Sequence, residues 1–416
     1  MLNACPRCQR TYPLEGTAFC GSDGTRLVPI DSIPAPRDPA DPIVGALIAG
    51  RYEVRRVIAD GGMGRVYEAR DTERQQRVAL KVLHADIATD NVNIERFRRE
   101  AETSKALTHP HVVEVFDFSQ TPTIPGRPDG GWYLSMEYLD GEELRTVIDR
   151  TKIMSVPRVI RVVSQLALAL DSAHRGGFVH RDLKPDNVFL VRSEAGDVVK
   201  LLDFGSVKFT QGQDRGNKLT VMGTTIGSPF YMSPEQAKGA DDLDHRADVW
   251  AVAVIVYEAL VGKVPFGGGN GPQILFRILG DEPMPPSLAS DSAPIEIDDV
   301  VVKGLTKDRA KRFQSVGEMA DALGRAFKLE GDHSRWGALS EAEIEAEIAE
   351  HKAAAPPRPA TPPPPQPVAA PSPAAPAVSR PASEYPLPVS STPTWVYAAV
   401  SLAALALALV AFLAFR

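Results

Sequence analysis

The spacing of apolar and polar positions changes along the chain and separates regions of different structure. From Arg51 to about Leu329 the pattern is that of a globular domain, and strand-like runs such as RYEVRRVI and RVALKVL come first. Longer apolar runs with helical spacing follow, for example VPRVIRVVSQLALALDSAH. Strands first and helices later predict an α+β domain in two parts, which we place at residues 51–329.

The segments on either side of this region have a different composition. Residues 1–30 carry every cysteine, and the Pro/Asp-rich stretch DSIPAPRDPADP follows, so we predict a linker over residues 31–50. The acidic stretch LSEAEIEAEIAEHKAA predicts a short solvated helix. Pro, Ala and Ser dominate from Ala355 to Pro393, which is typical of an extended spacer. We therefore interpret residues 330–394 as an acidic helix and a linker.

The segment from Trp395 to Phe415 contains no charged residue. An apolar helix of about 20 residues spans about 30 Å, the thickness of a bilayer core, so residues 395–415 predict one transmembrane helix. Trp395 and Tyr397 are expected at the headgroup level. A buried core helix is the alternative, but apolar side chains surround the helix on every side. No apolar run follows Met1, so we expect no signal peptide.

Composition limits the function further. The chain has 416 residues, of which 44% are hydrophobic and 24% charged, as expected of a protein that buries a large core. Its net charge of -7 provides no basic field to attract nucleic acid, so we do not expect bulk binding of DNA or RNA.

Two motifs among the strand-like runs are suited to binding phosphate. In ADGGMGRVYEA, Gly61, Gly62 and Gly64 lie in a turn, where missing side chains let backbone N–H groups approach phosphate oxygens. Glycine turns between strands are common, so this motif is weak evidence alone. Lys81 lies within the apolar run RVALKVL, where an unpaired ammonium is costly to bury. It therefore needs an anionic partner.

The most specific segment is VHRDLKPDNVFL, in which one loop presents Asp182, Lys184 and Asn187 after an apolar helix. Asp203 follows in LLDFG. Phosphoryl transfer spreads negative charge over the equatorial oxygens of its transition state, so cations and metal ligands must already be in place. This set of residues indicates that chemistry.

Together these motifs resemble the eukaryotic-type protein kinase family, over almost the whole globular region. The resemblance implies a bilobal fold, with a β-rich N-lobe at 51–138, a helical C-lobe at 139–329 and Mg-ATP bound between them. Mn²⁺ is the alternative metal. It also implies transfer of the γ-phosphate to Ser or Thr of protein substrates, because Lys184 after Asp182 is typical of the Ser/Thr-specific branch.

The resemblance gives each catalytic residue a role. Asp182 accepts the proton of the substrate hydroxyl, and Lys184 lies near the transferred phosphoryl group. Asn187 and Asp203 ligate Mg²⁺.

Lys81 bridges the nucleotide phosphates and a glutamate on the next helix. Glu100 in ERFRREAETSKAL matches that glutamate, with Glu95 and Glu102 as alternatives.

The resemblance also implies a set of nucleotide-binding residues. Met136 borders the adenine pocket, and the backbone from Glu137 to Leu139 hydrogen-bonds the purine edge. Ala59 departs from the family, which has its first glycine there. The complete set is Ala59, Gly61, Gly62, Gly64, Val66, Ala79, Lys81, Met136, Glu137, Leu139, Asn187 and Asp203.

Further matches lie beyond the DFG motif. Ser228 matches the site that helps to recognise the acceptor, and Ser233-Pro234-Glu235 matches the family's A-P-E motif, with Glu235 expected to pair with Arg312. Asp248 matches the aspartate that supports the catalytic loop. Ala253 stands where the family usually has glycine.

Three hydroxyl residues, Thr220, Thr224 and Thr225, lie between Asp203 and Glu235. A phosphate there could pair with Arg181, so regulation by autophosphorylation, with a homodimer to carry it out, is a hypothesis. Threonines that only form turns are the alternative.

The cysteines form a separate motif. Cys5-Pro-Arg-Cys8 followed by Cys20-Gly-Ser-Asp23 resembles a small zinc ribbon, with Asp23 in place of the fourth cysteine. Thirty residues are too few for an independent core, so Zn²⁺ would supply the folding energy. Three unligated cysteines in a tail, or a redox C-x-x-C, are the alternatives.

Our prediction is an active Ser/Thr kinase anchored to a membrane, with its kinase domain in the cytoplasm because ATP is there. One rival is a pseudokinase scaffold, which only Ala59 supports. The other is a zinc-ribbon nucleic-acid binder with a regulatory kinase, which the lack of basic character in residues 1–30 disfavours.

Overall fold

The computed structural model describes residues 2–4, 11–13, 19, 26–29, 41–127, 129–204 and 229–354. Three short strands near the N-terminus form an antiparallel sheet in the order β2-β1-β3. They are β1 (Leu2–Ala4), β2 (Thr11–Pro13) and β3 (Val28–Pro29). Phe19 and Arg26 form an isolated antiparallel bridge.

The N-lobe is an antiparallel six-stranded sheet in the order β4-β5-β6-β7-β9-β8, and it carries one long helix. Its strands are β4 (Leu47–Ile48), β5 (Tyr52–Asp60), β6 (Gly64–Asp71), β7 (Gln76–Leu83), β8 (Val115–Thr121) and β9 (Gly131–Glu137). Helix α1 (Asn91–Ala106) begins at Asp90, whose side chain accepts a hydrogen bond from Val92 N. Phe97 and Ala101 of α1 pack with Leu134 of β9, which fixes the helix against the sheet.

The C-lobe is helical and carries a second small sheet, β10-β11-β12. The strands are β10 (Gly141–Glu143), β11 (Val188–Ser193) and β12 (Gly196–Leu201). The helices are α2 (Leu144–Thr151), α3 (Val156–Arg175), α4 (Pro234–Ala237), α5 (Arg246–Val261), α6 (Gly271–Gly280), α7 (Pro286–Ala289), α8 (Asp298–Gly304), α9 (Val316–Ala326), α10 (His333–Ala338) and α11 (Glu341–Ala354). The bilobal α+β fold predicted from the sequence is thus confirmed.

Helix α5 is the centre of the C-lobe core. Every residue from Ala247 to Val261 is buried, so the helix has no solvent-facing stripe. Helices α3, α8 and α9 contribute to the same apolar cluster.

Ala253 of α5, where the kinase family usually has glycine, is accommodated by a glycine on the facing helix. Ala253 is fully buried, and a Cβ placed on Gly304 of α8 would lie 2.7 Å from the Ala253 Cβ. The methyl group therefore fits because its neighbour has none.

The packed region extends beyond both ends of residues 51–329. On the N-terminal side, Ile43 and Ile48 are buried in the N-lobe core, although residues 31–50 were predicted as a linker. Asp41 accepts a hydrogen bond from Tyr67 Oη at 3.0 Å. Part of the predicted linker therefore belongs to the N-lobe.

On the C-terminal side, α10 and α11 pack against α3. The acidic stretch forms a helix as expected, but Ile344 and Ile348 of α11 are buried in the C-lobe core. Trp336 of α10 is fully buried, and a Cβ on Gly324 of α9 would lie 2.1 Å from its Cζ3. Two apolar residues spaced by four positions are enough to fix one face of a helix that is otherwise acidic.

Among the helices of the described residues, none combines the length and apolar character that crossing a membrane requires. The predicted span at residues 395–415 lies outside the described residues.

We expect Trp336→Ala to lower the free energy of unfolding by about 3 to 5 kcal/mol, because it removes a fully buried indole from the contact of α10 with α9. Phe276→Ala is the matched control, since Phe276 is 75% exposed and its loss is expected to change stability by less than about 0.5 kcal/mol. Urea unfolding of residues 1–354 measures both. Equal effects of the two substitutions would contradict the packing described for α10.

Candidate active site

The glycine-rich turn joins β5 to β6. Gly61 N donates a hydrogen bond to Gly64 O at 3.1 Å. A Cβ on Gly64 would lie 2.5 Å from Val82 O, so only glycine fits there, whereas nothing lies within 4 Å of the corresponding position on Gly62. Ala59 is exposed and lies opposite Val66, directly after a register shift of β5 against β6 between Val57 and Ala59. The turn retains open space in which a phosphate could approach the backbone.

His84, which directly follows β7, anchors the glycine-rich turn. Its Nε2 lies 2.9 Å from Gly61 O and 3.2 Å from an Asp60 carboxylate oxygen. Asp60 also accepts a hydrogen bond from Arg65 Nε at 2.9 Å. The hydrogen bond from His84 gives the glycine-rich turn a fixed contact with β7.

Lys81 of β7 joins α1 to the segment after β12. Its Nζ lies 2.7 Å from Glu100 Oε1 and 3.4 Å from Asp203 Oδ1. The alternatives Glu95 and Glu102 instead pair with arginines of α1. The geometry therefore selects Glu100 as the partner of Lys81.

This cluster shares one ammonium between two carboxylates. Burial alone would lower the pKa of Lys81, but Asp203 and Glu100 raise it above its ordinary value, so the amine is charged. Burial raises the pKa of Glu100, and Lys81 only partly offsets this. Burial would also raise the pKa of Asp203, but the ammonium outweighs it and lowers that pKa. Asp203 is thus the carboxylate that stays ionised.

The catalytic loop is held by a buried carboxylate. Asp248 of α5 accepts hydrogen bonds from His180 N at 2.8 Å and Arg181 N at 2.9 Å, and His174 Nε2 lies 2.8 Å away. Arg181 has a φ of 67°, a strained conformation for a residue with a side chain. Gln236 Nε2 donates to Arg181 O at 2.6 Å. These contacts hold the backbone in the conformation that presents the next residue.

The three polar residues of the loop converge. Lys184 Nζ donates to Asp182 Oδ2 at 2.9 Å, and Asn187 Nδ2 donates to the backbone carbonyl of Asp182 at 2.7 Å. The Asp182 side chain is 51% exposed, so it remains open to a substrate. Leu202 N donates to Asn187 O at 2.9 Å, which connects this loop with the segment that carries Asp203.

Leu202 and Phe204, on either side of Asp203, contact the catalytic loop. Phe204 is fully buried, and its ring centroid lies 4.9 Å from that of His180. His180 Nε2 lies 3.0 Å from Leu202 O. Asp203 has a φ of 52°, so here too a strained residue carries a functional side chain.

The strand that leads to the hinge is connected to the C-lobe by an ion pair. Met136 of β9 lies opposite Ala79 of β7 and Val115 of β8. Glu137 Oε1 accepts hydrogen bonds from Glu114 N at 2.8 Å and Lys200 Nζ at 2.6 Å. Because Lys200 lies on β12, this pair connects the hinge with the strand that precedes Asp203.

Glu235 and Arg312 form the predicted ion pair. The two terminal guanidinium nitrogens, Nη1 and Nη2, each donate to the Glu235 carboxylate at 2.7 Å, and Arg312 is almost fully buried. Ser233 caps α4 in a capping box with Gln236. Helix α4 is thereby fixed to the rest of the C-lobe.

Comparison with known proteins identifies this arrangement. The family model described as the protein kinase domain matches residues 52–322. The chain belongs to the protein kinase family. It is 39% identical over 293 residues to the serine/threonine-protein kinase pkn3 of Myxococcus xanthus, covering 70% of this chain and 51% of that protein. It is 37% identical over 283 residues to the serine/threonine-protein kinase PknB of Mycobacterium tuberculosis, covering 68% of this chain and 44% of that protein.

Solved structures give the same result for the fold. The crystal structure of the Mycobacterium tuberculosis PknI kinase domain matches with a TM-score of 0.51 and 30% identity, covering 68% of this chain and 98% of that chain. The chain spans about half the length of the curated relatives it matches, 51% of the first and 44% of the second.

The residues expected to hold the kinase metal suit Mg²⁺. The side-chain amide nitrogen of Asn187 donates to Asp182 O, so its amide oxygen is the atom that can ligate a metal ion. Asp203 is ionised, because Lys81 lowers the pKa of its carboxyl group. Oxygen donors of this kind are what Mg²⁺ prefers, usually one or two from the protein together with nucleotide phosphates. Within the described residues no group of three or more His, Cys, Asp or Glu side chains could hold a metal ion.

Several predicted residues lie outside the described residues. They are Cys5, Cys8, Cys20, Asp23, Thr220, Thr224, Thr225 and Ser228.

Sequence reasoning missed His84, His174 and Lys200, whose partners are distant in sequence or on the backbone. The only signal was their position next to the kinase motifs, since His84 follows RVALKVL and Lys200 precedes LLDFG.

Proposed function

We propose that this chain transfers the γ-phosphate of ATP to serine or threonine hydroxyls of protein substrates. The observation that carries the proposal is the convergence of two sets of residues. Lys81, Glu100 and Asp203 form one ion-paired cluster, and Asp182 and its loop partners form the other. Asn187 connects the two sets, because its backbone carbonyl accepts a hydrogen bond from the backbone N–H of Leu202, the residue before Asp203.

The residues divide the reaction between them. The acceptor oxygen attacks the γ-phosphorus, the bond to the β–γ bridging oxygen breaks, and the hydroxyl proton passes to the exposed carboxylate of Asp182. Lys184, at 2.9 Å from Asp182, supplies positive charge beside the transferred group. Lys81 holds the nucleotide phosphates in position, and Glu100 orients Lys81 through their ion pair. Mg²⁺, when bound by Asn187 and Asp203, neutralises charge on the phosphates.

A pseudokinase scaffold is the competing function, and Ala59 was its only support. That residue is exposed on β5 and still lies opposite Val66, while Gly64 remains where a side chain cannot fit. Gly61, Gly62 and Gly64 of the turn are all present, which favours the active enzyme.

We expect Asp182→Asn to lower kcat by about 10²- to 10⁴-fold, the usual contribution of a general base. Transfer from labelled ATP with Mg²⁺ to a generic Ser/Thr substrate measures it. Glu194→Gln in the exposed β11–β12 turn is the control and is expected to retain wild-type activity. If the wild-type chain were as inactive as Asp182→Asn, the scaffold function would replace this proposal.

Autophosphorylation of the segment between Asp203 and Glu235 is part of the same proposal. Arg181 supports autophosphorylation, because burial lowers the pKa of its guanidinium and the charge of Asp248 offsets this only in part. A phosphate nearby would stabilise such a poorly compensated cation. Mass spectrometry of the wild-type reaction tests whether Thr220, Thr224 or Thr225 carries phosphate, and an unmodified segment in active enzyme would refute the idea.

We propose further that residues 395–415 anchor the chain in a membrane, with the kinase domain in the cytoplasm. The uncharged sequence from Trp395 to Phe415 supports this. We expect the full chain, expressed in bacteria, to stay in the membrane pellet after alkaline carbonate extraction, and a chain ending at residue 394 to be released. Release of both would refute the anchor.

Zn²⁺ at the N-terminus is also a proposal, with Cys5, Cys8, Cys20 and Asp23 as ligands. The antiparallel pair Ala4–Thr11 and the bridge Phe19–Arg26 support it, because each joins the ends of a segment that carries two of these residues.

We expect the purified chain to contain about one equivalent of zinc by elemental analysis, and Cys5→Ser to contain much less. Thr17→Ser, which alters no proposed ligand, is the control. Equal zinc contents in wild type and Cys5→Ser would contradict the site.

A further inference from the structure

The segment of residues 41–48, which was predicted as part of a linker, is fixed to the edge of the N-lobe sheet. Gly45 N donates a hydrogen bond to Val54 O at 3.0 Å, and Val54 N donates to Ala46 O at 2.9 Å. The protein kinase model matches the chain only from residue 52 onwards. The segment is therefore a packed part of this N-lobe that lies outside the region matched to the family.

Asp41, at the start of this segment, is a buried carboxylate with only 7% of its surface exposed. Its Oδ2 accepts hydrogen bonds from Arg65 Nη1 at 2.9 Å and from Tyr67 Oη at 3.0 Å. Its Oδ1 accepts a hydrogen bond from Ile43 N at 3.1 Å. A buried carboxylate needs a cation as well as hydrogen bonds, because an unpaired one is strongly destabilising. Arg65 is the cation that forms an ion pair with Asp41.

Arg65 also binds the carboxylate that precedes the glycine-rich turn. Its Nε donates to Asp60 Oδ2 at 2.9 Å, and its Nη2 donates to the same oxygen. Asp60 and, to a smaller extent, Asp41 raise the pKa of Arg65, while Arg65 lowers the pKa of Asp60, so both groups are charged. An unpaired carboxylate at this position would repel bound phosphates. One guanidinium thus neutralises Asp60 and joins it to the segment 41–48.

His84 extends these contacts from Asp60 to the backbone of the turn. Its Nε2 lies 3.2 Å from Asp60 Oδ1 and 2.9 Å from Gly61 O, and its backbone N–H donates to Met63 O at 3.1 Å. Gly62, between these two carbonyls, has open space where a Cβ would lie. A turn that is already held in place loses less conformational freedom when it binds a ligand, so it binds that ligand more tightly.

We propose that Asp41 is a positioning residue for nucleotide binding: through Arg65 and Asp60 it holds the glycine-rich turn in the conformation that receives the phosphates of ATP. This inference rests on the nucleotide binding that the proposed kinase function requires. Asp41 itself need not contact the nucleotide, because two consecutive ion pairs, which share the Arg65 guanidinium, connect it to the turn.

The affinity of the full chain for a non-hydrolysable ATP analogue with Mg²⁺, measured by isothermal titration calorimetry, tests this role. We expect Asp41→Asn, which removes the charge but keeps the shape, to raise Kd by about 3- to 10-fold. Arg65→Met is expected to raise Kd at least as much. Because Asp41 acts through Arg65, the double variant Asp41→Asn/Arg65→Met is expected to bind no more weakly than Arg65→Met alone.

Tyr67→Phe is the matched control. It removes the other side-chain donor to Asp41 Oδ2 but leaves the contact with Arg65 in place. We expect it to lower the melting temperature and to leave Kd unchanged, which separates the positioning of the turn from a loss of stability. A wild-type Kd for Asp41→Asn, additive weakening in the double variant, or equal weakening by Tyr67→Phe would each overturn the inference.

Steady-state kinetics add a second criterion, since Asp41→Asn is expected to raise KM for ATP by the same factor while kcat stays close to the wild-type value. A fall in kcat with KM unchanged would contradict a role in nucleotide binding. If the wild type bound the analogue but phosphorylated no substrate, the kinase proposal would fail and the Kd values would still decide the role of Asp41. If the wild type bound no nucleotide, both proposals would fail.

Discussion

The carboxylate of Asp248 is the contact on which the site depends. It lies within α5, whose burial on every side means that a carboxylate there must be fully hydrogen-bonded. Burial would raise its pKa, but His174 and the neighbouring groups outweigh this and lower it, so the charge is retained. That charge binds two consecutive backbone N–H groups and holds Arg181 in a strained conformation. The core of the C-lobe thereby determines where Asp182 lies.

Lys81 connects the two lobes, as Asp248 fixes the catalytic loop. It is the one residue of the sheet whose ion pairs reach both α1 and the Asp203 segment among the described residues. Movement of α1 away from the sheet would separate Glu100 from Lys81 and leave a buried charge without its partner. The position of the helix and the state of the nucleotide site are therefore coupled through a single ammonium group.

The sequence predicted well those parts whose chemistry is local or depends on a motif, and less well those that depend on contacts between distant segments. The loop from His180 to Asn187 could be recognised because its residue types are fixed by phosphoryl transfer. The packing of Trp336 could not, because the matching space is created by Gly324 on another helix. Ala253 is similar, since only the facing glycine explains why a methyl group is tolerated. His84 also acquires its role from a partner that periodicity does not reveal, the backbone carbonyl of Gly61.

Five carboxylates of the C-lobe fall into two groups, and the difference explains their roles. Asp248, Glu235 and Glu258 are nearly buried, and each is paired with an arginine or a histidine of the chain itself. Asp182 and Asp203 are about half exposed, at 51% and 47%, and each contacts a lysine of the site. Internal pairing thus makes Asp248, Glu235 and Glu258 structural anchors. Asp182 and Asp203 remain accessible to a phosphate, a metal ion or a substrate proton.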